Sequence, residues 1–148
     1  MAIKDTSKKP YIVDNDSNIK VGIDLPIRRD DVVDGWFAST KTTIEAVKNN
    51  IRNLLNTNTG ERLMQPSLGI PLRRFLFEQI NEEVIVELEN EIENTLSFWL
   101  PFVVLQDLKI NFSDSDNDIL QNEINIDIIF SIKNDPTTRE SISVGVGI

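Results

Sequence analysis

Histidine and cysteine are both absent from this sequence, so chemistry here would fall to carboxylates, lysines, hydroxyls and a single tyrosine. Without imidazole there is no Ser-His triad, no imidazole base and no imidazole metal ligand. Without thiols there is no disulfide, no thiolate nucleophile and no zinc–thiolate site. Carboxylates are plentiful, with 24 Asp and Glu against 15 Lys and Arg. A pair of them can hydrolyse a glycosidic bond if they flank it and one has a raised pKa. Glu61 and Glu78 lie in the most motif-like stretch, but neither sits in a recognisable cleft motif, and structural roles account for both more simply. Asp114, Asp116 and Asp118 are spaced like the start of a calcium loop. Ile119 stands where that loop needs Gly and Asn125 where it needs a bidentate acid, so a solvated hairpin turn is the better reading. There is no Gly-rich phosphate cradle and no basic stripe. No catalytic residue, metal ligand set, cofactor site or small-molecule site is therefore expected, and a non-enzymatic protein is the leading reading.

The net charge of −9 points the same way, because it opposes binding to a phosphate backbone or an anionic membrane surface. No apolar run is long enough to span a membrane, and residues 1–10 lack the apolar segment of a secretion signal. Cytosolic synthesis is expected, and the Asn-x-Ser matches at Asn15 and Asn111 are read as chance.

The elements that would position any site follow from periodicity. Residues 1–37 read as an extended arm, rich at first in Lys, Asp and Asn, with a short strand or strap over residues 19–25 and Trp36-Phe37 as an aromatic anchor. Residues 38–148 read as the main domain. Within residues 39–56, Ile44, Val47, Ile51, Leu54 and Leu55 recur every three or four residues and form one helical stripe. Thr42 with Glu45 fits a capping box there, and Ser39 is an equally good cap. Residues 61–64 read as a short extended piece, residues 66–69 as a turn and residues 72–77 as a short amphipathic helix. A second long helix is expected from about Asn81 to Leu100, with Ile85, Leu88, Ile92, Leu96 and Trp99 buried and Pro101 ending it. From Val103 the period becomes two. Leu108, Ile110 and Phe112 share a face, as do Ile124, Ile126, Ile128, Phe130 and Ile132, and then Ile142, Val144, Val146 and Ile148. Turns are expected at residues 114–118 and 134–136. The fold class is α+β: two long helices packed on a small antiparallel C-terminal β-meander, preceded by the arm.

Residues 57–78, TNTGERLMQPSLGIPLRRFLFE, carry an ordered pattern: a helix ending in Leu55-x-Thr57, then Gly60-x-Arg62, Pro66, an x-x-Gly turn at Gly69, and Leu76-Phe77-Glu78. This resembles the signature of the tail-lysozyme-like baseplate wedge family of contractile phages, which includes a type VI secretion baseplate subunit. The resemblance covers roughly residues 44–148. The family's Glu-Pro-Arg after the second long helix falls on Leu100-Pro101-Phe102, where only Pro101 is kept. The resemblance implies a structural protein of the inner baseplate, in the virion tail after assembly in the host cytoplasm. It implies helical wedge proteins and a sheath subunit as partners. It also implies a domain similar to the part of a sheath subunit that links neighbours by exchanged strands, and hence a sheath initiator. The alternative is a peptidoglycan-hydrolysing tail lysozyme.

Strand exchange has a clear physical basis, since an open sheet edge carries unpaired N–H and C=O groups that a partner strand can satisfy. The last strand, with Ser141, Ile142, Ser143, Val144, Gly145 and Val146, is the expected sheath interface, with the opposite edge as the other option. Gly145 and Gly147 leave one of its faces bare. Arg62 is expected to fix its turn, pairing with an acid such as Glu78 or with a partner. Gly60, Pro66 and Gly69 serve backbone geometry. Leu76, Phe77 and Trp99 are expected in the core. Trp36 either staples the arm or contacts a wedge subunit.

Overall fold

The computed structural model describes residues 19–29, 36–78, 81–113, 123–133 and 135–147. These fall into two compact units, divided between Ile51 and Arg52. Much of the expected arm and the hairpin turn at residues 114–118 lie outside the described residues.

In the first unit, β1 (Gly22–Ile23) pairs antiparallel with β2 (Ser39–Thr40). Ser39 therefore belongs to a strand and is not a helix cap. Asn49 donates to the Ile23 carbonyl at 3.4 Å and to the Asp24 carboxylate at 3.3 Å, tying the short ribbon to the helix that follows. That helix, α1 (Thr43–Leu55), starts where Thr42 Oγ1 accepts from the Glu45 N–H at 3.2 Å. Glu45 reaches back one residue further than a standard capping box, accepting from the Lys41 N–H at 3.4 Å. Val47, Ile51, Leu54 and Leu55 are buried and Ile44 is half-buried, as the spacing requires.

The second unit holds a mixed arrangement of helix and sheet. Helix α2 (Leu72–Phe75) is one turn long and buries Leu72 and Phe75, leaving Arg73 and Arg74 outside. Helix α3 (Glu82–Trp99) begins at Asn81, whose side chain accepts from the Val84 N–H at 2.8 Å. Its stripe of Leu88, Ile92 and Leu96 is buried, with Ile85 and Trp99 half-buried at its ends. Pro101 follows at the stop, and the Leu100 N–H still bonds back to the Leu96 carbonyl.

Three antiparallel strands then form one sheet in the order β3 (Val103–Ser113), β4 (Glu123–Ile132), β5 (Asp135–Gly147). Register places Leu108, Ile128 and Ile142 in one cross-strand row. Ile110, Ile126 and Val144 form the next, and Phe112, Ile124 and Val146 the last. Ile124, Ile126, Ile128 and Phe130 are each at most 1% exposed, contributing about 2 kcal/mol apiece by burial. Helix α3 packs by β3, and α2 touches both α3 and β5. Strand β5 begins at Asp135, six residues before the sequence pattern predicts. Pro136 is tolerated because β5 is an edge strand, and a register shift absorbs residues 136–138 before regular pairing starts at Arg139.

Candidate assembly surfaces

The sheet has two outer edges, and they are finished differently. The register of β3 shifts between Leu105 and Asp107. Gln106, the extra residue, turns its amide to Ser131 Oγ at 3.1 Å. Asp107 and Lys109 follow, with 3.8 Å between their charged atoms. A bulge and exposed charges are the usual means of blunting an edge. Strand β5 has neither device over its outer half. Residues 139–147 face residues 123–131 of β4 without interruption, and no charged residue follows Glu140. Ile142 and Val144 are buried and Val146 is half-buried, while Ser141, Ser143, Gly145 and Gly147 lie on the opposite face. On that face Ser143 Oγ donates to the Asp127 carboxylate. A Cβ placed on Gly145 would come within 2.9 Å of Glu123 Oε1 and 3.0 Å of Asn125 Oδ1, both ends of movable side chains. The structure thus brings the six residues of the expected interface strand onto an edge that no other described strand pairs.

The signature stretch forms a loop closed by its own backbone. The Ile70 N–H donates to the Thr57 carbonyl at 2.9 Å, and the Gly60 N–H to the Pro66 carbonyl at 2.8 Å. Gly60 has φ +92° and Gly69 has φ +109°, values that a side chain resists. At Gly69 a Cβ would stand 2.1 Å from the Thr57 carbonyl oxygen, so the loop cannot close around anything larger. Glu61 clamps the start of the loop through Asn58, whose N–H and side-chain amide donate at 3.1 and 2.8 Å. Those bonds, the side-chain one foremost, hold the Glu61 carboxyl below its ordinary pKa.

Three expectations change here. Arg62 does not pair with Glu78: its guanidinium donates to Asn53 Oδ1 at 3.1 Å. Glu78 instead accepts from Arg74 at 2.9 Å, and Arg74 also reaches Glu87 at 2.7 Å. Leu76 is buried as expected, but Phe77 is 75% exposed. A one-turn helix buries Leu72, Phe75 and Leu76, and the next residue rotates outward. Residues 61–64 are not extended either. Arg62 to Gln65 is a tight turn closed by the Gln65 N–H on the Arg62 carbonyl at 3.2 Å, a feature that polar-turn rules did not find.

After α3, Leu100 is buried while Pro101 and Phe102 face outward. Pro101 lines a groove of about 290 Å³ together with Glu93, Leu96, Ser97, Lys133 and the start of β3. In the first unit Trp36 is 76% exposed, with the Arg29 guanidinium 5.0 Å from its ring centre. Among the described residues no group of three carboxylates is placed to hold a metal ion, and no helix is long and apolar enough to cross a membrane.

Residues 41–137 match the family described as baseplate wedge protein gp25. The chain is similar to one in the sixfold-symmetrised cryo-EM structure of the anti-feeding prophage baseplate, with 26% identity over 76% of this chain and 84% of that one and a TM-score of 0.62. It is also similar to a crystal structure from Geobacter sulfurreducens provisionally identified as a tail lysozyme, with 26% identity, coverage of 71% and 90%, and a TM-score of 0.57. A chain of the type VI secretion baseplate complex shares the fold at 16% identity, with coverage of 71% and 93% and a TM-score of 0.55. No curated protein matches the sequence.

Proposed function

The chain belongs to the baseplate wedge protein gp25 family, and from that premise we propose that it is a structural baseplate subunit that nucleates sheath polymerisation by accepting a strand. The observation that carries this reading is the unguarded edge of β5. Its inward side chains are already committed to the core, so what residues 141–147 offer a partner is backbone. A sheath strand laid alongside would complete the ladder, with register set by hydrogen bonds. The bulged and charged β3 edge disfavours the same event on the other side, which gives assembly one direction.

In this reading residues 1–37 form an arm ahead of the 38–148 domain. Trp36, a large aromatic left outside with a cation over its ring, contacts the helical wedge proteins. The protein resides in the tail baseplate and is assembled in the host cytoplasm. It needs no cofactor and binds no nucleic acid, membrane or small molecule.

Hydrolysis of peptidoglycan is the competing reading, favoured by the provisional name of the Geobacter relative. A general acid must have a raised pKa, whereas that of Glu61 is lowered and Glu78 is engaged by Arg74. Zymography on cell-wall substrate is expected to show no clearing. Clearing lost on Glu61→Gln or Glu78→Gln would favour the enzyme.

The main test is sheath polymerisation on purified baseplates carrying either a chain truncated after Glu140 or the folded control Ser141→Lys/Ser143→Lys. Both should lose most nucleation, because edge lysines block strand addition. Normal polymerisation with both variants would refute the assignment.

A further inference from the structure

Tight turns are normally centred on Gly, Pro, Asn, Asp or Ser. The turn from Arg62 to Gln65 is centred on Leu63 and Met64, which are 97% and 93% exposed. Two large apolar side chains held almost wholly in water at a turn apex contradict local turn chemistry. Such conflicts concentrate at functional sites.

The apex is also held in place. Three turns follow one another, closed by the Glu61 N–H on Asn58, the Gln65 N–H on Arg62 and the Leu68 N–H on Gln65, at 3.1, 3.2 and 3.1 Å. Beneath them lie the two backbone rungs at Gly60 and Ile70, and the Arg62–Asn53 bond braces one side. A segment fixed this way loses little conformational entropy on binding, so its apolar area converts to affinity efficiently.

The charge around the apex selects the partner's chemistry. Arg62 engages only a neutral amide in the contacts above, and Arg73 is exposed and close enough to Glu61 to act on its carboxyl. Glu61 is itself engaged by Asn58. The rim is thus net positive on a chain whose total charge is −9. That total opposes an anionic bilayer as the occupant.

We infer that Leu63 and Met64 form a preorganised anchor that plugs an apolar socket with an acidic rim on another protein of the baseplate. This rests on the baseplate reading but not on the β5 edge, which is a separate surface.

The test places the photo-crosslinking residue p-benzoylphenylalanine at Met64, and in parallel at Ser143, in chains assembled into whole particles. Irradiation and mass spectrometry should join position 64 to one other baseplate protein, at a site lined by apolar and acidic residues. Leu63→Ser/Met64→Ser should keep the wild-type unfolding midpoint but associate with the baseplate at least about a hundredfold more weakly. The inference is overturned by crosslinks to a second copy of this chain, by no crosslink at position 64 in particles that contain the protein, or by unchanged association of the double variant. Binding to phosphatidylglycerol vesicles that Leu63→Glu abolishes would also overturn it, in favour of a membrane. A sheath crosslink at position 143 beside a silent position 64 would sink the anchor alone. Absence of the chain from purified particles would sink both readings.

Discussion

The loop at residues 57–70 and the outer half of β5 meet solvent in opposite ways. The loop satisfies its backbone internally and projects side chains, with Leu63 and Met64 at its apex. The strand buries its apolar side chains and leaves backbone along an edge that no other described strand pairs. Each contains glycines, but for different reasons. Gly69 is required by the fold, because its φ is +109° and the Thr57 carbonyl fills the space a Cβ would need. Gly145 has no left-handed torsion and its near neighbours are movable side-chain ends, so the fold itself does not require a glycine there. The lesson is that a surface meant to present side chains needs a closed backbone, and one meant to present backbone needs its side chains anchored elsewhere.

Four substitution experiments sharpen or break this contrast. Gly69→Ala should cost about 3 kcal/mol or more in chemical denaturation, since it adds both torsional strain and a backbone clash. A cost under about 1 kcal/mol would mean the loop is not a closed unit. Ile142→Ala should cost about 3 kcal/mol by opening a cavity in the row with Leu108 and Ile128, and should impair the β5 edge only through loss of fold. Gly145→Val should change stability by less than about 1 kcal/mol, because the side chains of Glu123 and Asn125 can move aside, yet it should reduce sheath nucleation. Equal damage from Gly69→Ala and Gly145→Val would erase the distinction. Leu63→Ser/Met64→Ser should leave stability within about 0.5 kcal/mol, since both side chains are already in water.

The smallest expected effect is electrostatic. The Glu61 carboxyl is held below its ordinary value of 4.5, first by the Asn58 side chain and then by the Asn58 N–H. The ionised form therefore favours the closed loop at neutral pH. That contribution fades as pH falls from the ordinary glutamate range through the lowered value. An NMR titration should find Glu61 ionising below 4.5, and Asn58→Ala should move it upward. No movement would mean that the clamp is not formed in solution.

Periodicity made much of the fold legible. The α3 helix emerged within a residue of its observed bounds, because a sustained 3.6-residue pattern ended by Pro101 has one good solution. The alternating isoleucines of β4 located the central strand equally well. Short elements were less legible. Asn134-Asp135-Pro136 reads as a turn because sequence alone does not say that β5 is an edge strand, where Pro is allowed. Phe77 reads as core because one helical turn is too short to fix a face by pattern. The pairing of Arg62 with Asn53 depends on how the loop folds back toward α1, which spacing does not encode. Of the two proposed surfaces, the β5 strand was legible as a bare alternating pattern of Ile142, Val144 and Val146 with Ser and Gly between them. The exposed apex at Leu63 and Met64 was hidden inside a motif that reads as backbone geometry.

The sharpest trial of the account is a high-resolution cryo-EM map of the baseplate carrying its first sheath ring. It should show a sheath strand running beside residues 141–147 at about 4.8 Å, within hydrogen-bonding distance along the edge. A map in which that edge faces solvent or bare side chains, with the sheath held elsewhere, would contradict it.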